Sequence, residues 1–155
     1  MKKNIKFSLL LVSFLMLLSL SCSSDDSTNQ SDNSLEIQNI KNTVTSGSWS
    51  LTYFFDTDKE ETSNFSGYSF TFNSDGKLIA INSSVTIEGD WSVTDSNSND
   101  GSSDDIDFNI TFSAPSNFQE LSDDWDIILY SSNKIELIDI SGGNGGTDYL
   151  TFEKL

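Results

Sequence analysis

From Trp49 onward, apolar residues fall at every second position. Trp49, Leu51, Tyr53 and Phe55 alternate with Ser48, Ser50 and Thr52, and Phe54 alone breaks the pattern. Tyr68, Phe70 and Phe72 alternate with Ser69, Thr71 and Asn73, and Ile79 and Ile81 continue on the return strand. Between them, Ser74-Asp75-Gly76 supplies the residue types that tolerate positive φ, so a hairpin turn is predicted there. Val85, Ile87, Trp91 and Val93 mark the next strand, and Ile106, Phe108, Ile110 and Phe112 the one after it. Trp125–Tyr130 is a fuller apolar run, Ser132-Asn133 turns the chain into Ile135 and Leu137, and a glycine-rich turn (142–146) precedes Tyr149–Leu155. A period of two over short segments is the mark of half-buried strands.

Before Trp49 the period is nearer 3.6. Leu35, Ile37, Ile40 and Val44 share one helical face, Ser34 can cap its start, and Gly47 can stop it. Residues 116–121, after the lone Pro115, can form a single helical turn. No helix is long enough for parallel crossovers, so the eight strands should run antiparallel and up-and-down. Closure into a barrel would remove the exposed edges. A two-sheet sandwich uses the same alternation and is the rival.

The N-terminus follows a different pattern. Three lysines lie in the first six residues, and an apolar run from Phe7 to Leu18 leads to small residues before Cys22. The run is shorter than the roughly 20 apolar residues of a membrane span, and the layout is that of a secretory signal peptide. Ser19-Leu20-Ser21-Cys22 resembles a bacterial lipobox, with Ser19 where leucine is usual. Cys22, the only cysteine, is therefore the expected lipidation site. Acyl chains worth about 0.8 kcal/mol per buried CH₂ would hold the protein to a membrane. Ser23–Ser34 has no apolar residue and reads as a disordered tether. The expected organisation is a signal peptide over 1–21, an acidic, serine-rich tether over 22–33 and a barrel domain over 34–155. Ser24-Asp25-Asp26 resembles the export signal that sends Bacteroidota lipoproteins to the outer face of the outer membrane. That resemblance implies a lipid-anchored, surface-exposed protein.

Charge narrows the function classes. The chain has 24 acidic residues and eight lysines, with no arginine or histidine. Beyond Lys6, five lysines face all the acids. Phosphate backbones need clustered cations, so no nucleic-acid partner is expected. Without histidine there is no Ser-His-Asp or Cys-His site and no histidine-bound metal, and one cysteine cannot form an intrachain disulfide.

Gly47-Ser48-Trp49, placed after a short helix and opening the first of eight strands, is similar to the G-x-W motif of the lipocalin superfamily. Gly89-Asp90-Trp91 repeats it at what reads as the opening of the fourth strand. Trp125–Leu129 and Leu150–Lys154 resemble strands of the lipocalin-like lipoproteins of Bacteroidota. The resemblance implies a calycin-type barrel over Ser34–Leu155, with Gly47, Trp49 and Trp91 closing it. The arginine that packs over the tryptophan in that family has no counterpart among residue types here. Thr147-Asp148-Tyr149 matches a family motif but falls one strand too late.

The candidate ligand-binding residues are the aromatics assigned to the interior: Tyr53, Phe55, Tyr68, Phe70, Phe72, Phe108 and Phe112. An eight-stranded barrel can be filled by side chains or hold one small ligand. These rings suit either a packed core or an aromatic cup for a small hydrophobic ligand, and parity alone leaves both open. If the core is filled, the loops would contact an envelope protein or another macromolecule. The loop Asp95–Asp107 has a calcium-loop composition but the wrong order: counting from Asp95, glycine falls at seven rather than six. A solvated loop is the expectation, with weak calcium binding through Asp100, Asp104 and Asp105 as the alternative. No acid pair stands out as a hydrolase site. No catalytic residue, metal ligand or cofactor is assigned, and enzymatic activity is not expected.

Overall fold

The computed structural model describes residues 33–96, 106–141 and 146–155. The expected leader, Cys22 and most of the tether lie outside the described residues, as do Asp100, Asp104 and Asp105.

Helix α1 spans Ser34–Val44 and buries Ile40 and Val44. It ends ahead of Gly47, because the hydroxyls of Thr45 and Ser46 donate to the carbonyls of Lys41 and Thr43. Strands β1 (Ser48–Asp56), β2 (Lys59–Glu60), β3 (Ser69–Phe72), β4 (Lys77–Ile81), β5 (Thr86–Asp95), β6 (Ile106–Thr111), β7 (Asp123–Tyr130), β8 (Lys134–Ile140) and β9 (Thr147–Lys154) follow. A one-turn 3₁₀ helix, Thr62–Phe65, precedes β3, and α2, Ser116–Gln119, precedes β7.

The long strands lie in the order β1-β3-β4-β5-β6-β7-β8-β9, and β9 pairs back onto β1. Every pairing is antiparallel. The fold is thus all-β, an eight-stranded up-and-down barrel with a short N-terminal helix, and the sandwich is ruled out by the β1–β9 closure. The two-residue strand β2 is an addition that pairs with Phe55 and Asp56 at the end of β1. The turn at 74–76 forms as predicted, with Gly76 at φ +87° and its N–H donating to the Asn73 carbonyl at 3.0 Å.

Two parities differ from expectation. On β1, Leu51 faces Phe152 and Tyr53 faces Thr151, so β1 has one more residue than β9 over this stretch. Such a bulge shifts every later side chain to the opposite face. Trp49 and Leu51 point inward, but beyond the bulge Phe54 is the buried residue. The residue that broke the alternation is therefore the core residue, and Tyr53 and Phe55 stand outside. On β4, pairing of Phe70 with Ala80 and of Phe72 with Leu78 fixes the face. Leu78 and Ala80 are buried and Ile81 is exposed.

The two ends of the barrel are closed differently. At the end where β1 begins, α1 lies across the opening. Trp49 is fully buried, and its indole N–H donates to the Val44 carbonyl at 2.8 Å, tying the barrel to the last turn of the helix. The Lys154 ammonium lies 5.6 Å from the centre of the Trp49 ring and donates to Ser46 Oγ at 2.8 Å. A lysine from the last strand thus supplies the cation over the tryptophan. Gly47 makes room for it, since a Cβ there would sit 2.9 Å from Lys154 Cε. At the opposite end, Phe65 from the 3₁₀ helix and Phe118 from α2 drop into the barrel. The Trp125 indole N–H bonds the Leu121 carbonyl at 3.1 Å and holds the second plug in place.

Candidate functional site

Of the seven aromatics expected inside, five meet there. Phe70, Phe72, Phe108 and Phe112 are buried, and Tyr68 is half-buried against them. Phe118 is the hub that sequence reading missed. Its ring lies 5.2 Å from Phe65, 5.1 Å from Tyr68, 6.1 Å from Phe70 and 5.1 Å from Phe112. Phe72 meets Trp91, Phe108 and Phe152 edge-on at 5.4–5.6 Å. Edge-to-face packing at these separations is the favoured geometry of rings in contact. The interior is a packed core rather than a cup. Tyr53 and Phe55 are corrected to the outer surface: Tyr53 is 41 % exposed, and the two rings stack against each other at 6.5 Å.

The closing residues fall near one end, with a different placement for the repeat. Gly89-Asp90-Trp91 lies within β5 rather than at its start. The Trp91 indole N–H donates to the Asn73 carbonyl at 2.9 Å, pinning the β3–β4 turn.

A concave feature with binding character lies outside the core. A groove of about 480 Å³ runs between α1 and β7, lined by Glu36, Ile40, Ile106, Asp126, Ile127, Ile128, Leu129 and Tyr130. Among the described residues, β6 pairs with β7 from Asp123 to Asp126, and the groove lies beside residues 127–130. The strand is also bulged there: Ile127 faces Leu137 and Leu129 faces Glu136, leaving Ile128 as the extra residue. Ile128 and Leu129 consequently stand side by side, 54 % and 44 % exposed. The floor is Ile40 and Ile106, both buried.

The polar end of the groove is a single bond. Tyr130 Oη donates to Glu36 Oε1 at 2.7 Å. Burial, and then the carboxylate it serves, raise the tyrosine hydroxyl above its ordinary pKa. Asp126 sits directly across from Asp107 on β6. Burial, followed by the charges of Asp124 and Asp126, holds the Asp107 carboxyl above the usual carboxylate range. A lopsided, apolar groove with a few convergent polar groups is the general form of a small-molecule site. The sequence signal for it was the unbroken apolar run Ile127–Tyr130, where alternation fails.

A carboxylate cluster lies at the opposite end. Asp123, Asp139 and Asp148 bring oxygens within 4.8 Å of one another, the spacing of a cation site among the described residues. Asp148 is already engaged, accepting from the Thr57 N–H at 2.6 Å and its hydroxyl at 3.2 Å. The Thr147-Asp148-Tyr149 triplet thus holds the β1–β2 turn. Burial pushes the Asp123 carboxyl up to about 6, with the side-chain bond to Asp124 and the charge of Asp139 adding to it.

No protein-family model and no curated protein matches the chain. Two solved structures resemble it. One is a DUF4847 family protein from Bacteroides vulgatus, with 19% identity, a TM-score of 0.47, and 75% of this chain and 97% of that one covered. The other is a point mutant of LTBP1 in complex with leukotriene C4, with 13% identity, a TM-score of 0.37, and 73% and 68% covered.

Proposed function

We propose that the chain is a lipid-anchored protein of the cell envelope that binds a small apolar molecule in the groove between α1 and β7. The observation that carries this reading is the groove itself. It has an isoleucine floor, exposed Ile128 and Leu129 on one wall and a buried-edge tyrosine–carboxylate pair at one end. Its volume lies within the usual range for ligand pockets, roughly 300–1,000 Å³. The barrel interior plays no part, because its own rings fill it.

Anchoring rests on Cys22 and the lipobox-like residues before it. Surface display rests on Ser24-Asp25-Asp26. The G-x-W motif and the barrel together favour a place beside the lipocalin-like lipoproteins of Bacteroidota. Cys22→Ser should move the protein from the membrane to the soluble fraction, and an unchanged membrane fraction would count against the anchor.

The filled core favours a second reading, in which the same protein contacts an envelope protein or other macromolecule through its exposed surface. Native mass spectrometry of the chain purified from its own host separates the two. A co-purifying small molecule supports the groove. A stable complex with another protein and no small ligand supports the second reading.

A further inference from the structure

The polar atoms that line the groove are of one kind. Among the described residues, Glu36 and Asp126 offer carboxylate oxygens, and the one other polar side chain, that of Tyr130, spends its proton on Glu36. Among the described residues no hydrogen bond engages Glu36 Oε2. No lysine is among the described residues that line the groove. The lysine of α1, Lys41, instead lines a polar hollow on the other flank of the helix, with Gln38, Asn42 and Thr45.

Just beyond the groove the acids crowd further. Asp126 and Asp107 are direct cross-strand partners, and Asp124 lies opposite Asn109 on the same pair of strands. Like charges placed directly opposite repel. A cation entering the groove would lower that repulsion while meeting Glu36 at the apolar floor. An anion would meet carboxylates, with no free donor among the described lining residues to receive it.

Resting on the groove reading above, we infer that the occupant is an apolar molecule ending in an ammonium group, selected against an apolar carboxylate of the same size. The hydrocarbon part lies along Ile40, Ile106, Ile127 and Ile128. The ammonium donates to Glu36, beside the Tyr130 hydroxyl, with Asp126 adding attraction at longer range. The preference is electrostatic in origin, so it weakens as salt rises.

The test uses the full chain in nanodiscs of zwitterionic lipid, with isoleucine methyl groups observed by NMR. Octylammonium, octanol and octanoate are titrated separately at pH 7. Octylammonium should shift the methyl signals of Ile106, Ile127 and Ile128 with an affinity at least about tenfold above that of octanoate. Octanol should fall between them. Glu36→Gln, which keeps an acceptor for Tyr130, should remove most of the preference for octylammonium over octanoate. Asp126→Asn should reduce the preference less. Partition of each probe into the bilayer is the same for parent and variants, so it cancels in the comparison. Octanoate binding as tightly as octylammonium, or a preference that survives Glu36→Gln, would overturn the charge selection while leaving the groove as a site. If no probe shifts these methyl signals, the groove reading fails and the inference falls with it.

Discussion

The two ends of this barrel solve the same problem with different materials. At one end a three-turn helix, α1, is laid across the opening and fastened by Trp49 to its last carbonyl. At the other, two one-turn segments each insert a phenylalanine into the interior. A helix is a stiff cylinder and meets a curved rim along part of its circumference only. Where the rim is also broken by the β7 bulge, a groove remains. Short segments can follow the rim closely, and Phe65 and Phe118 fill what lies beneath them. The helix end is therefore closed but leaves apolar space beside the closure. The other end is filled, and a carboxylate cluster lies at its edge. Possession of a barrel thus says little about where a ligand sits. The gap left by a poorly matched lid says more.

Removing the anchor at each end tests the contrast most strongly. Trp49→Ala should cost about 3–5 kcal/mol, because it deletes a fully buried indole and orphans the Val44 carbonyl. A loss under about 1 kcal/mol in denaturant melts would contradict its role as the fastening of the lid. Phe118→Ala should cost about 3 kcal/mol, at the lower side of the range for buried aromatics, since a one-turn plug can resettle more easily than a helix. If Phe118→Ala proves the costlier of the two, the assignment of the stiffer closure to α1 is wrong.

The edge of the filled end can be tested by pH. The Asp123 carboxyl is raised from 3.8 to about 6, so the folded state holds its proton more tightly than the unfolded chain between those values. Its contribution to stability is fully present below about 4 and is lost as pH rises through about 6. Asp123→Asn should therefore melt at a higher temperature than the parent at pH 7, and its melting temperature should fall less between pH 4 and 7. Equal profiles for the two proteins would show that burial of this carboxyl has no energetic consequence.

The smallest effect on folding is expected in the groove. Ile128 is an exposed bulge residue, so Ile128→Asn should change stability by no more than about 0.5 kcal/mol. The same change should abolish retention of an apolar ligand in native mass spectra. A large loss of stability would mean that Ile128 belongs to the core; undiminished ligand retention would mean that the ligand sits elsewhere.

Much of this was legible in advance. Alternation located most of the long strands and a fuller apolar run located β7, and the absence of long helices made the sheet antiparallel. Tyr68, Phe70, Phe72, Phe108 and Phe112 were assigned to the core correctly. Tyr53 and Phe55 were not, because a one-residue bulge opposite Phe152 and Thr151 leaves the residue types unchanged while inverting the face. Phe54, the exception to the pattern, was the sign of it. Phe118 sits on a four-residue helix, too short for any periodicity to mark one side as inward. Lys154 could not be matched to Trp49 from the sequence, since the two are joined only by closure of the first strand onto the last.

By itself the sequence determined the class of the fold, because the spacing of apolar residues is a local property that any strand must obey to bury one face. It also determined the excess of acid and the absence of histidine, which follow from composition. Tertiary structure alone decided that the cylinder is full, that α1 leaves a groove beside β7, and that Glu36 and Asp126 meet along that groove. Each of these depends on which distant residues meet after closure, and on bulges that shift a strand by one residue without altering its alphabet.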